Sequence, residues 1–249
     1  MPTYAAILVA AGQSARFGDP FYKKPFAMLN NRAVWLHSAD RFLNHPGVEQ
    51  VIVVIAEEDD EEFDRRFGAN LAILGITSCH GGATRAQSVD AGLRHVRDDV
   101  DFVAIHDAAR PCLTDRMLTE VFEAAQAHGA AILAHRVTST LKRERVEGET
   151  VFVKETAPRD GLWEAQTPQV FARELITAAH AQPDAPDATD DAQLVERLGK
   201  PVALVEGSPL NIKITTKADL KLAEQVLRAL PKPKPEGGRN PFADDDLFR

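Results

Sequence analysis

Short, continuous apolar runs alternate along this chain with longer stretches in which apolar and polar positions mix at helical spacing. The runs fall at residues 5–10, 51–56, 102–106, 130–134 and 202–205 and are rich in Val and Ile. A strand that is apolar on both sides is covered on both faces, so these runs predict the interior strands of a parallel sheet. The intervening patterns predict helices over about 32–44, 84–96, 114–128, 173–181, 189–198 and 217–230. Strand and helix in alternation predict an α/β fold, a doubly wound, mostly parallel sheet. Thr114 is placed to cap the helix that Gly129 ends. Thr189 with Asp190 and Asp191 reads as a second helix start, and Thr216 with Asp219 as a relative of a capping box.

Two segments leave this rhythm. Residues 137–160 are polar and carry a short strand pattern at 150–153 with Gly148 as a turn, which predicts a hairpin arm leaving the main sheet. From Pro231 the chain holds four prolines, the pair Gly237–Gly238 and the run Asp244 to Asp246. That composition predicts a disordered tail over 231–249, behind one domain spanning 1–230.

Length and charge narrow the function classes. A chain of 249 residues that is 44% apolar can bury a sizeable core. Lys and Arg number 29 against 37 Asp and Glu, a net charge of -8, which opposes general affinity for nucleic acid or anionic membranes. Any phosphate site must be local. Cys79 and Cys112 are too few for a disulfide framework or a metal-binding Cys pair, and they read as solitary buried thiols of a cytoplasmic protein. The run at 4–11 is too short to span a membrane.

Three places carry candidate chemistry. The first strand runs into Ala10-Ala11-Gly12-Gln13-Ser14-Ala15-Arg16-Phe17-Gly18, with Lys23 and Lys24 beyond. Small residues let backbone N–H groups approach an anion, and the cations suit a triphosphate. Alone this is also an ordinary strand-to-helix turn, and it matches neither the P-loop nor the dinucleotide fingerprint. The second place is His106-Asp107-Ala108-Ala109-Arg110-Pro111, at the carboxyl end of a buried strand, where open α/β sheets bind ligands and where a carboxylate can hold a divalent cation or simply cap a turn. The third is Asn211-Ile212-Lys213-Ile214-Thr215. Its alternation predicts a strand with Asn211 and Lys213 on one face.

Taken together these segments resemble a known family. The first loop, Gly81-Gly82-Ala83-Thr84-Arg85-Ala86-Gln87-Ser88-Val89, His106 to Pro111, Gly161 to Gln169, and Val205-Glu206-Gly207 through Asn211-Ile212-Lys213 stand in the order and spacing of the 2-C-methyl-D-erythritol 4-phosphate cytidylyltransferases, over about residues 4–228. The resemblance implies a Rossmann-like nucleotidyltransferase that transfers CMP from CTP to a polyol phosphate and releases diphosphate, in non-mevalonate isoprenoid synthesis. By matching motif positions it implies that Arg16, Lys24 and Lys213 act on the phosphates and that Asp107 holds Mg²⁺. Ala10, Ala11, Gly12, Gly82 and Ser88 would bind the nucleotide; Arg110, Thr140, Arg159 and Thr167 would orient the acceptor. It also implies a homodimer joined through the arm.

Two other readings stay open at this level. A ribitol 5-phosphate cytidylyltransferase shares the fold and much of the motif set. Ser14, Pro25 and Leu210 depart from the family pattern and motivate a nucleotide-binding module without catalysis; the retained cations argue against it.

Overall fold

A computed structural model of the chain describes residues 1–12 and 26–231. In chain order the elements are β1 (Tyr4–Val9), β2 (Met28–Leu29), β3 (Arg32–Ala33), α1 (Val34–Leu43), β4 (Val48–Ile55), α2 (Asp60–Leu74), β5 (Thr77–His80), α3 (Arg85–Leu93) and β6 (Phe102–Asp107). There follow α4 (Asp115–His128), β7 (Ala130–Arg136), β8 (Leu141–Glu147), β9 (Thr150–Ala157), β10 (Trp163–Ala172), α5 (Arg173–His180), α6 (Asp191–Arg197), β11 (Ala203–Glu206) and α7 (Lys217–Ala229).

Among the described residues seven strands form the main sheet in the order β11-β7-β10-β6-β1-β4-β5. Neighbours are parallel except at β10, which runs antiparallel between β6 and β7. From β1 the chain moves outward through β4 and β5, then returns to place β6 on the other side of β1. Such a reversal opens a crevice at the carboxyl ends of the strands on either side of it.

Both faces are covered, as the unbroken apolar runs require. Tyr4, Ala6 and Leu8 of β1 look to one face, where Trp35 and Phe42 of α1, Phe63 and Phe67 of α2, and Phe122 of α4 are buried. Ile7 belongs to the opposite core with Ile52, Val54, Val89 of α3, Ile176 of α5 and Leu194 of α6. The rings of Tyr4 and Phe122 stack at 3.9 Å between centroids. Removing such a buried ring costs about 3–5 kcal/mol. A third cluster seats α7 against Leu29 and Val34 through Ala223 and Val226.

The helix ends follow the side chains expected of them in most cases. Thr114 accepts from the Met117 N–H at 3.3 Å, and Gly129 closes α4 at φ 81°. Thr216 and Asp219 make a full capping box. The start of α6 lies one residue later than predicted: Asp190, not Thr189, accepts from the Gln193 N–H, at 3.0 Å. Asp191 is no surface charge on that cap but is buried, for a reason given below.

The arm is present. Among the described residues β8 and β9 pair only with each other, around Gly148, whose φ of 60° turns the hairpin. The segment 211–215 differs from expectation: it makes no ladder, and burial falls on Asn211 and Ile214 rather than on alternate residues. It is held by side chains, which a period-two pattern does not report. Elements α2, β5 and β10 were not predicted at all.

Candidate active site

A cavity of about 460 Å³ opens at the carboxyl ends of β1, β4, β5 and β6. Each wall is the end of a strand or the residues just after it: Val9 to Gly12, Ala56 to Glu58, Gly81 to Ala83, and Asp107 with Ala109. Arg85, Ser88, Lys213 and Ile214 complete it.

One wall is fixed by the start of α3. Thr84 and Gln87 exchange hydrogen bonds as a capping box, at 3.2 and 3.0 Å. Ser88 Oγ accepts from the Gly82 N–H at 3.2 Å and lies 3.0 Å from the Thr84 carbonyl, so the glycine turn and the helix form one unit. A Cβ at Gly81 would lie 2.6 Å from Ser88 Oγ and 2.7 Å from Ala11 Cβ. Only glycine lets the two walls approach this closely. The result is a slot of small residues and backbone groups.

The opposite side is charged. Asp107 ends β6, and its Oδ2 lies 2.8 Å from Lys213 Nζ and 3.4 Å from Arg110 Nε; its Oδ1 lies 3.6 Å from Arg85 Nε. Burial opposes the charge on Asp107, but Lys213, then Arg85 and Arg110, outweigh it and hold the carboxyl far below the usual carboxylate range. Asp107 is therefore an anion at neutral pH.

Arg85 reaches a second carboxylate. Its Nη1 lies 2.7 Å from Asp191 Oδ2, and Asp191 Oδ1 accepts from His180 Nε2 at 3.1 Å. Burial also opposes the charge on Asp191, with Arg85 and His180 prevailing, so this carboxyl too titrates below its ordinary value. Sequence reading gave Asp191 to a helix cap. The structure gives the cap to Asp190 and uses Asp191 to anchor Arg85.

Beneath Asp107, three residues lock the strand ends together. The Asp107 N–H donates to Thr167 Oγ1 at 3.0 Å, Thr167 Oγ1 lies 3.1 Å from His106 Nδ1, and His106 Nε2 lies 3.1 Å from the Arg110 carbonyl. Burial pushes the His106 imidazole down to about 4. Arg110 Nη1 donates to the Asn211 carbonyl at 2.7 Å, and Asn211 Nδ2 donates to the Thr167 carbonyl at 3.0 Å. The loop carrying Lys213 is thus tied to β6 and β10 two residues before the lysine.

Of the residues singled out in the sequence, Ala10, Ala11, Gly12, Gly82, Ser88, Asp107 and Lys213 meet at one cavity. Arg110 and Thr167 adjoin it through Asp107. Thr140 and Arg159 do not; both are exposed at the root of the arm, where the Arg159 guanidinium donates to the Thr138 carbonyl. Arg16 and Lys24 lie outside the described residues. Sequence reading assigned no role to Arg85 or His106, although both stand inside motifs it quoted, and none to Gln166, which donates to the Ser208 carbonyl at 2.8 Å.

Among the described residues no group of three or more His, Cys, Asp or Glu side chains is placed to hold a metal. Magnesium is commonly held by one or two carboxylates with phosphate oxygens and water completing the shell. An ionised Asp107 with Lys213 and Arg85 beside it, at a cavity that also carries Glu57 and Glu58, fits that mode. It would not fit an all-protein cage. No helix among the described residues is long and apolar enough to cross a membrane.

A family model described as 2-C-methyl-D-erythritol 4-phosphate cytidylyltransferase matches residues 4–229. The protein of that name from Rhodopirellula baltica is 41% identical over 234 residues, covering 90% of this chain and 94% of its own. A bifunctional enzyme IspD/IspF from Rhodospirillum rubrum is 40% identical over 229 residues; the match takes in 92% of this chain and 58% of that longer protein. Among solved structures, a 2-C-methyl-D-erythritol 4-phosphate cytidylyltransferase from Thermus thermophilus superposes with a TM-score of 0.72 at 33% identity, over 92% of this chain and 100% of that one.

Proposed function

The chain belongs to the 2-C-methyl-D-erythritol 4-phosphate cytidylyltransferase family, and on that premise we propose that it joins the CMP group of CTP to the phosphate of 2-C-methyl-D-erythritol 4-phosphate in isoprenoid synthesis. The observation that carries this reading is the ion pair of Lys213 and Asp107 at the mouth of a cavity whose far wall is a slot of small residues.

The chemistry asks little of the protein in proton transfer. The acceptor phosphate is already an anion; one of its oxygens bonds to the α-phosphorus of CTP while the bond from that phosphorus to the bridging oxygen breaks, and diphosphate leaves with the electron pair. The barrier lies in bringing anions together and in the charge that grows on the leaving group. Lys213 answers the first need by exchanging Asp107 for the α-phosphate. Arg16 and Lys24, which follow β1 in the sequence, grip the triphosphate. A magnesium ion held by Asp107 supplies further neutralisation of the triphosphate when bound. The slot formed by Ala10, Ala11, Gly12, Gly82 and Ser88 takes the cytosine and ribose. Arg110 and Thr167 face the acceptor from the same chain, while Thr140 and Arg159 come from the arm of a second subunit. The free, buried thiols Cys79 and Cys112 suit a reducing cytoplasm.

Release of diphosphate from CTP tests the assignment. It is expected with 2-C-methyl-D-erythritol 4-phosphate and Mg²⁺, and not without an acceptor. Faster turnover with ribitol 5-phosphate would transfer the protein to that acceptor, and no release with either would leave a binding module.

A further inference from the structure

We infer that Arg85 is a positioning residue for the transfer, one that takes over Asp107 when Lys213 leaves this carboxylate for the α-phosphate. The inference rests on the cytidylyltransferase reading, in which the lysine makes that exchange. Among the described residues three cations face Asp107, and two of them have substrate to bind in that reading. Lys213 goes to the α-phosphate, and Arg110 faces the acceptor. Arg85 has no such duty. It lines the cavity, but its Nη1 is held at 2.7 Å by Asp191, which is 1% exposed and does not line the cavity. That anchor is itself fixed. Asp191 Oδ1 accepts from His180, and the Asp191 and Ala192 N–H groups both donate to Gln169 Oε1, at 3.1 and 3.0 Å. Gln169 pairs with Ile105, two residues before Asp107 on β6. Asp107 and the anchor of Arg85 are therefore mounted on the same pair of strands.

The guanidinium still has donors to give. Its Nε and Nη2 share one edge, the edge that takes a carboxylate side-on. On that edge Nε has Asp107 Oδ1 at 3.6 Å, an ion pair too long for a hydrogen bond, and Nη2 is buried with no hydrogen-bond partner among the described residues. A buried N–H left unpaired is costly and calls for an explanation. So does a cation as the first residue of α3, where the helix dipole favours an anion. Both are explained if the edge is kept for Asp107. While Lys213 holds Oδ2 at 2.8 Å, the carboxylate stops short of Arg85; once the lysine departs, a shift of about 0.7 Å brings it to ordinary hydrogen-bond distance. Without Arg85 the departing lysine would leave a buried anion poorly paired, and that cost would oppose its release. With Arg85 the carboxylate exchanges one cation for another.

The first test needs no substrate. In a crystal structure of the full-length Lys213→Ala protein, which imitates the departed lysine, Asp107 Oδ1 is expected within about 3.0 Å of Arg85 Nε or Nη2. An unchanged gap, or an Asp107 turned onto Arg110 instead, would overturn the inference. The second test is kinetic. Arg85→Met leaves Asp191 short of a partner, so it is compared with Arg85→Met/Asp191→Leu, in which an apolar pair replaces the ion pair and preserves the fold. Both should lower kcat about tenfold, the size of a lost hydrogen bond to a charged group, and leave the KM for the polyol phosphate within about twofold of wild type. In the Lys213→Ala background, where no lysine has to leave, the same Arg85 change should cost less than about twofold. A tenfold loss in that background too, or full activity in the stable double variant, would make Arg85 and Asp191 a structural tie and sink the inference. A wild type inactive toward every polyol phosphate would sink the functional reading instead, and the Lys213→Ala structure would still decide whether Asp107 closes on Arg85.

Discussion

Lys213 and Asp107 neutralise each other at the mouth of the cavity, Nζ to Oδ2 at 2.8 Å. The resting site therefore keeps a half-exposed lysine on a carboxylate, ready for exchange when a triphosphate arrives. Lys213→Ala should lower kcat by a factor equivalent to about 3 kcal/mol, the size seen when one preorganised charge donor is lost. Steady-state kinetics decide what the lysine does. A rise in the KM for CTP at unchanged kcat would make it a uniform binding group instead.

The carboxylate can be tested apart from the lysine. Asp107→Asn keeps the shape and the Thr167 contact to its backbone but removes the anion, so turnover should nearly vanish while circular dichroism still shows the native fold, at a stability lowered by the three cations left without their partner. Titrating Mg²⁺ against activity in both proteins checks the cause. Near-normal activity of the variant would show that the ion is held elsewhere.

Asp191 should make stability depend on pH. Its carboxyl titrates lower in the folded protein than the ordinary unfolded value near about 3.9, so the unfolded chain takes up protons first as pH falls. The stabilisation is complete above that value and is lost as pH drops through it toward the folded pKa. Removing the charge from a buried pair costs about 3–5 kcal/mol. Denaturant unfolding of wild type and Asp191→Asn should differ by that amount at pH 7 and converge below about pH 4. A gap that stays constant over this range would mean that Asp191 matters by shape alone.

Base choice follows from the slot. With Ala10, Gly82 and Ser88 proposed as the cytosine site, CTP should far exceed ATP and GTP as donor in the diphosphate assay. Equal use of purine triphosphates would contradict the site described.

The arm should act between subunits. Val146, Val151 and Val153 stand 60%, 60% and 63% exposed on a two-stranded hairpin, and such a hairpin is marginal in water without a surface to cover it. A twofold partner would offer that surface and place Arg159 at the neighbouring site. Lys213→Ala and Arg159→Ala chains, each inactive alone, are unfolded together and reassembled. Random pairing restores about a quarter of wild-type activity, since half the dimers are mixed and each holds one intact site. A mixture that stays inactive although mixed dimers form would place Arg159 in its own chain's site.

The buried strands were legible because burial on both faces leaves an unbroken apolar run, as at 51–56 and 102–106. Strand β10 was not, since Gln166, Thr167 and Gln169 are buried in it and bonded to the side chains of Asn211, His106 and Asp190, and a polar residue with a buried partner looks like a surface residue in sequence. Edge strand β5 buries only Cys79. Helix α2 was obscured by the charges of its solvent side, though Phe63 and Phe67 are one turn apart on its buried stripe. At the site, the strand end pointed to Asp107, while Lys213 and Gly82 drew their roles from the family resemblance. The pairing of Arg85 with Asp191 joins residues 106 positions apart, and nothing local to either announces the other.

One irregularity in β10 reaches further than its size. Opposite β7 its register jumps from Ala165 to Gln169 while the partner advances only from Ala134 to Ile132, so Gln166, Thr167 and Pro168 stand out of the ladder. The segment beyond β11 docks there. The Gly207 N–H bonds to the Ala134 carbonyl at 2.7 Å, at a position where a Cβ would strike Gln166 Oε1 at 2.5 Å, and Asn211 donates to Gln166 and Thr167. A stretch without secondary structure of its own is thus keyed into the sheet like a tenon in a mortise, and the reach of Lys213 is set by a break in a strand on which it does not lie.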